Sequence, residues 1–282
     1  MDRLAIIGGD LRQIVVARLL SENYEIATYG FDNYDSDFGN ATKCGSAFDA
    51  INKSAAIILP LPYTRDKINV FMPLSKSELL VEDVISMIKP ECALIGGMLD
   101  SNIKMRHYMS FDYYEREELQ ILNAIPTAEG AIGIAMEETP ITLFSSKCVV
   151  IGFGRVSKIL ASRLKGLGAK VTICARKQED LAYAEAFGYK GMTIETMKEA
   201  FCDADVIFNT VPSIIITEDM FESINRQTPI IDLASRPGGI DFEKAKRYGL
   251  KVIWALSLPG KVAPVTAGKI IKTSITNILN SI

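Results

Sequence analysis

Histidine is nearly missing from this chain: of 282 residues one is histidine, His107, and residues 141–282 contain none. Chemistry in that half that needs an imidazole to carry a proton has no side chain to use. The five cysteines, Cys44, Cys92, Cys148, Cys174 and Cys202, are odd in number and show no C-x-x-C spacing. That excludes a disulfide framework and paired metal knuckles. They are expected to be reduced, buried small hydrophobes of a cytosolic protein, and no metal site is expected. No apolar stretch reaches the ~18 residues needed to span a membrane. The apolar run after Met1-Asp2-Arg3 is too short for a signal peptide, so a cytoplasmic location away from membranes is expected. Net charge is only −3, which argues against a nucleic-acid surface.

What is present is a regular βα alternation over a length that fits two domains. Leu4–Ile7 reads as a strand, Gly8-Gly9-Asp10 as a turn and Leu11–Ser21 as a helix. Apolar runs at 25–29, 55–59 and 92–95 follow, with a helical stretch over 76–88 and an Asp/Asn/Gly-rich loop over 30–46. The second half continues with strands at 206–209, 230–233 and 252–255 and helices at 194–200 and 241–248. The expected fold is α/β, with two doubly wound domains: an N-terminal flavodoxin-like domain and a C-terminal Rossmann NADP-binding domain, separated by a cleft. The expected boundaries are 1–126 for the substrate-side domain, 127–140 for a connector helix and 141–265 for the nucleotide domain. Residues 266–282 should form a helix crossing back to the first domain and fixing the cleft.

The most specific local signal is an apolar run from Cys148 to Ile151 followed by Gly152, Phe153, Gly154, Arg155, Val156 and Ser157, then a helix over 158–167. Strand, tight glycine turn and helix N-terminus form an arrangement that holds a pyrophosphate. Gly152 permits the turn, Gly154 lets backbone approach phosphate, and Ser157 stands where a small residue suffices for close packing. The next strand, Lys170–Cys174, ends in Ala175, Arg176 and Lys177, where an NAD site would carry a carboxylate for the ribose hydroxyl. Two cations there suit a 2′-phosphate, so NADP is the expected cofactor. The alternative leaves them as solvated loop charges.

Ligands of open parallel sheets lie beyond the C-terminal strand ends, which singles out three loops. Thr210, Val211 and Pro212 should meet ribose and nicotinamide; Ser235 and Arg236 should meet substrate; Lys261 should serve catalysis. Each loop also reads as ordinary Gly/Pro turn chemistry. In the first domain, Gly9, Asp10 and Arg12 sit at a helix N-terminus suited to a carboxylate, though Arg12 also fits a solvated first turn. Thr127 and Glu129 open the connector helix, either as an N-cap or as groups facing the cleft. With no histidine nearby, Lys261, Glu129 or the substrate itself must move the proton. His107 lies in a Tyr-rich stretch and reads as structural; Lys104 and Arg106 are framed by no motif.

Together, the segments Ile7–Gln13, Ile125–Ala131, Gly152–Arg155, Asp232–Phe242 and Leu258–Pro264 resemble the dipicolinate synthase A-subunit family of spore-forming bacteria. The resemblance runs over nearly the whole chain in the family's order. It implies an NADP-binding protein that works with a separate, flavoprotein-like B-subunit of dipicolinate synthase. The implied reaction is oxidation of dihydrodipicolinate, or of its hydroxylated tetrahydro precursor, to dipicolinate in the mother-cell cytoplasm during sporulation. A small dicarboxylate substrate and a homo-oligomer are also expected. Two alternatives stay open: a regulatory or scaffolding nucleotide-binding protein, and a shikimate- or methylenetetrahydrofolate-dehydrogenase-like enzyme, suggested by Asn209-Thr210-Val211-Pro212 and Pro259-Gly260. D-2-hydroxyacid dehydrogenases share the layout but use a histidine of the nucleotide domain, where residues 141–282 of this chain contain none.

Overall fold

The computed structural model describes residues 2–35 and 37–282 and divides into two compact units, Met1–Asn123 with Ala263–Ile282, and Ala124–Val262. Each contains a six-stranded, wholly parallel sheet. In the first unit β1 (Arg3–Ile7), β2 (Glu25–Tyr29), β3 (Thr42–Lys43), β4 (Ala56–Ile58), β5 (Ala93–Gly96) and β6 (Ser110–Asp112) take the order β3-β2-β1-β4-β5-β6. Without the two-residue edge strand β3 this is the flavodoxin order expected from the sequence.

In the second unit β7 (Lys147–Ile151), β8 (Lys170–Ala175), β9 (Lys190–Thr193), β10 (Val206–Asn209), β11 (Ile230–Asp232) and β12 (Val252–Trp254) take the order β12-β11-β10-β7-β8-β9. That is the Rossmann order, with the reversal between β7 and β10, where a dinucleotide binds.

The central strands read as largely apolar runs because helices cover both sheet faces. Leu4 and Ile6 enter one core while Ala5 and Ile7 enter the opposite one. Cys148 and Val150 alternate with Val149 and Ile151 in the same way. The last helix, Pro264–Leu279, belongs to the first unit and buries Ala267, Gly268, Ile271, Ile275 and Ile278 at helical spacing. It crosses the Leu11–Leu20 helix at Gly268, where a Cβ would lie 2.7 Å from Val15 Cβ.

Several elements differ from expectation. The 76–88 helix shortens to Val81–Met87, because Leu80, extended in an antiparallel bridge with Asn69, caps its start. The connector helix expected over 127–140 is part of a longer one, Glu117–Glu138, with Pro126 inside it. Cys92, Cys148 and Cys174 are buried, but Cys44 is half-exposed beyond the edge strand β3 and Cys202 is exposed just past the Lys198–Phe201 helix. The expectation that all five are core residues is corrected accordingly. Among the described residues no cluster of His, Cys, Asp and Glu could hold a metal, and no helix is long and apolar enough to cross a membrane.

Candidate functional site

In the second unit, β7 ends at Ile151 and the chain turns through Gly152 at φ +95° into the Arg155–Gly166 helix. The Gly152 N–H donates to Cys174 O at 2.8 Å, tying the turn to β8. A Cβ on Gly152 would sit 2.5 Å from Thr210 Oγ1, so only glycine fits. Burial pushes the Cys174 thiol up to about 12, so it stays neutral and inert beneath the turn. Gly154 caps the helix with no side-chain cap bond, and nothing lies within 4 Å of where its Cβ would be. The helix N-terminus therefore opens onto free space, as a pyrophosphate requires.

Phe153 turns into the core, edge-on to Tyr189, so only its backbone can meet a nucleotide. Ser157 is fully buried and its hydroxyl lies 2.7 Å from Thr210 Oγ1, which donates to Ile151 O at 2.8 Å. The third position of the fingerprint thus binds the helix to the β10 loop, and the Thr210 hydroxyl is directed at the chain. Arg155 is exposed and Val156 partly so at the helix start, while Val211 and Pro212 lie on the adjoining loop. At the end of β8, Ala175 is buried and Arg176 is exposed, with no ion-pair partner among the described residues. Lys177 pairs with Glu179 at 3.1 Å, which leaves Arg176 as the uncompensated cation there.

Two buried side chains, both missed as site residues by the sequence reading, join the next loops. Asn209 Nδ2 donates to Asp232 Oδ1 at 2.8 Å and to Val211 O at 3.0 Å, and Asn209 Oδ1 accepts from Val211 N. Asp232 also accepts from Ala234 N at 3.0 Å and Gly239 N at 2.7 Å. The loop bearing Ser235 and Arg236 is thereby clamped to the loop bearing Thr210–Pro212, with both side chains of the former exposed. Asn209 and Asp232 open segments that the sequence singled out, Asn209-Thr210-Val211-Pro212 and Asp232–Phe242, but neither side chain was given a role there.

Lys261 is exposed on the short Leu258–Val262 helix, with no ion-pair partner among the described residues. That helix packs on the Glu117–Glu138 helix at Gly130, where a Cβ would lie 3.1 Å from Val262 Cγ2, so the segments of Lys261 and Thr127 come together. Glu129 instead lies 3.6 Å from Arg163 Nε, in the last turn of the Arg155–Gly166 helix and away from its N-terminus.

The first unit's glycine turn differs sharply. Gly8 and Gly9 have φ of +65° and +110°, but Gly9 N–H donates to Phe71 O at 2.8 Å and the Met72 side chain occupies the space a Gly8 Cβ would fill. Asp10 caps the Leu11–Leu20 helix through Arg12 N and holds the Arg12 guanidinium at 2.9 Å and 2.8 Å, while Arg12 also donates to Leu61 O. Arg12 is only 8% exposed, so it is not the free anion-binding cation that its position in the sequence suggested. His107 is likewise buried, donating from Nε2 to Cys92 O at 2.6 Å.

Residues 3–110 match the family model for the N-terminal domain of the dipicolinate synthase A-subunit, while residues 128–236 match that for the NAD-binding domain of D-isomer specific 2-hydroxyacid dehydrogenases. The chain is 34% identical to the dipicolinate synthase A-subunit of Bacillus subtilis (strain 168), over 99% of its own length and 96% of the relative's. Among solved structures it is similar to the dipicolinate synthase A-subunit from Bacillus subtilis, with TM-score 0.89 and 34% identity over 99% of this chain and 96% of that one. It is similar to the dipicolinate synthase A-subunit from Bacillus halodurans, with TM-score 0.89 and 32% identity over 99% and 97%. A transhydrogenase from Sinorhizobium meliloti shares the fold at 16% identity and TM-score 0.72, over 99% and 93%.

Proposed function

The chain belongs to the dipicolinate synthase A-subunit family, and on that premise we propose that it is an NADP-dependent oxidoreductase acting on dihydrodipicolinate or its hydroxylated tetrahydro precursor. It works with a flavoprotein-like B-subunit in the mother-cell cytoplasm. The observation that carries the reading is the second unit's uncapped helix start at Gly154, opening onto free space, with the uncompensated Arg176 at the end of the neighbouring strand. A nicotinamide dinucleotide fits that set of donors: backbone N–H groups for the pyrophosphate and a guanidinium for a 2′-phosphate. The bound cofactor supplies the hydride acceptor.

The chain's own residues bind and orient. Gly152 and Gly154 seat the pyrophosphate, while Val211 and Pro212 line the ribose side. Arg236, with Ser235, anchors a substrate carboxylate, and Lys261 supplies a second cation and exchanges a proton. Arg12 is left out because Asp10 already neutralises it, and Glu129 is left out because it pairs with Arg163.

Titrating NADPH and NADH against wild type and Arg176→Ala tests the cofactor half. A charge-assisted contact of about 1.5–3 kcal/mol predicts that NADPH affinity falls roughly tenfold to a hundredfold while NADH affinity stays put. Equal affinities in wild type would sink the NADP assignment. Dihydrodipicolinate oxidation by the chain with and without the B-subunit tests the other half. A second reading, in which the chain holds the nucleotide and its partner performs the chemistry, draws support from the absence of histidine from residues 141–282. It predicts no turnover by the chain alone.

A further inference from the structure

We propose that Trp254 is a positioning residue: its indole is the surface that holds the Arg236 guanidinium ready for a substrate carboxylate. The proposal rests on the reading of Arg236 as the carboxylate anchor. Trp254 is the last residue of β12 and stands in register beside Asp232, the last residue of β11. From these neighbouring positions the two side chains hold the same loop. Asp232 takes the N–H groups of Ala234 and Gly239, on either side of Arg236. Trp254 Nε1–H donates to Ala234 O at 3.0 Å.

The indole itself is fixed by Phe242, stacked with ring centroids 4.6 Å apart and planes at 26°. Arg236 Cζ lies 5.7 Å from the centroid of the indole ring. Arg236 is exposed and has no hydrogen-bond or ion-pair partner among the described residues. A guanidinium on an exposed loop would otherwise lose rotamer freedom when it closes on an anion. Held over an aromatic face it loses less, and its donors stay directed around the ring edge, where a carboxylate can be gripped by two of them. A lysine has the charge without the flat fork.

The test is calorimetric titration of dipicolinate into the NADP⁺-saturated chain, with NADP⁺ affinity measured for every variant. Trp254→Leu is expected to weaken dipicolinate about five- to tenfold, Trp254→Phe less than threefold, and neither to change NADP⁺ affinity. In an Arg236→Ala background Trp254→Leu should have no further effect, because the coupling runs through Arg236. Arg236→Lys, an exposed change that should not disturb folding, is expected to lose about as much as Trp254→Leu. An undiminished affinity in Arg236→Lys overturns the proposal, as does an equal loss from Trp254→Leu with and without Arg236. Unchanged dipicolinate binding in Arg236→Ala would instead remove the anchor reading itself. Trp254 is the chain's single tryptophan, so its emission gives a second readout: dipicolinate should alter it in wild type and not in Arg236→Ala.

Discussion

Two glycines of the turn after β7, separated by Phe153 alone, do opposite work. Gly152 has positive φ and would drive a Cβ against Thr210, whereas Gly154 has ordinary backbone and open space around it. Gly152→Ala is therefore expected to destabilise the second unit by about 1–3 kcal/mol. Gly154→Val should fold as wild type and lose dinucleotide binding, since the branched side chain fills the open space to which the proposed site assigns phosphate. Thermal melts with NADPH calorimetry separate the two, and a Gly154→Val variant that binds normally would move the phosphate site elsewhere. In the first unit, Gln13 is 1% exposed and neither amide atom has a hydrogen-bond partner. An unpaired buried amide costs about 1–3 kcal/mol, so Gln13→Met should stabilise by about 1 kcal/mol. The readout is a higher denaturant midpoint at unchanged slope; an unmoved or lower midpoint would refute this.

The helix crossing at Gly268 shows how elements are joined over long sequence distances. A Cβ there would meet Val15 Cβ at 2.7 Å and Arg12 O, which is backbone, at 2.8 Å. Gly268→Val must push the Pro264–Leu279 and Leu11–Leu20 helices apart, at an expected loss of about 2–3 kcal/mol. Chemical denaturation showing wild-type stability would mean that the two helices can separate at Gly268 without loss. Such joints mark the limit of what the sequence made legible. Strands β1, β2, β7, β8 and β10 and the Gly152–Ser157 turn were readable because their signals are contiguous. The Gln178–Ala186 helix was not, since it carries little apolar periodicity and is mostly exposed. Asp10 pairs with Arg12 locally, but the burial of Arg12 also involves Leu61 O, 49 residues away, and the clamp on the Arg236 loop depends on Asn209, 23 residues before Asp232. Neither of these long-range partnerships leaves a local pattern.

At the scale of the whole molecule, the chain carries two parallel sheets whose full strand orders are equivalent, each with a glycine turn after its central first strand. Strand order alone would give it two dinucleotide sites. The two turns have parted in chemistry: the one at Gly152–Gly154 leaves its helix start open, while the one at Gly8–Gly9 spends its donors on Phe71 O and Asp10 and its space on Met72. A saturating calorimetric titration with NADPH is expected to close at one equivalent per chain, and a second equivalent of comparable affinity would mean that Phe71 and Met72 give way. Single occupancy has a redox consequence. On a chain that closes at one equivalent there is no second nicotinamide to receive them, so the two electrons of each turnover leave by exchange of the spent cofactor with the surrounding pool or pass to the proposed B-subunit. By the first route, the ratio of oxidised to reduced nucleotide in that pool, set against the ratio of substrate to product, governs the direction in which the chain can run.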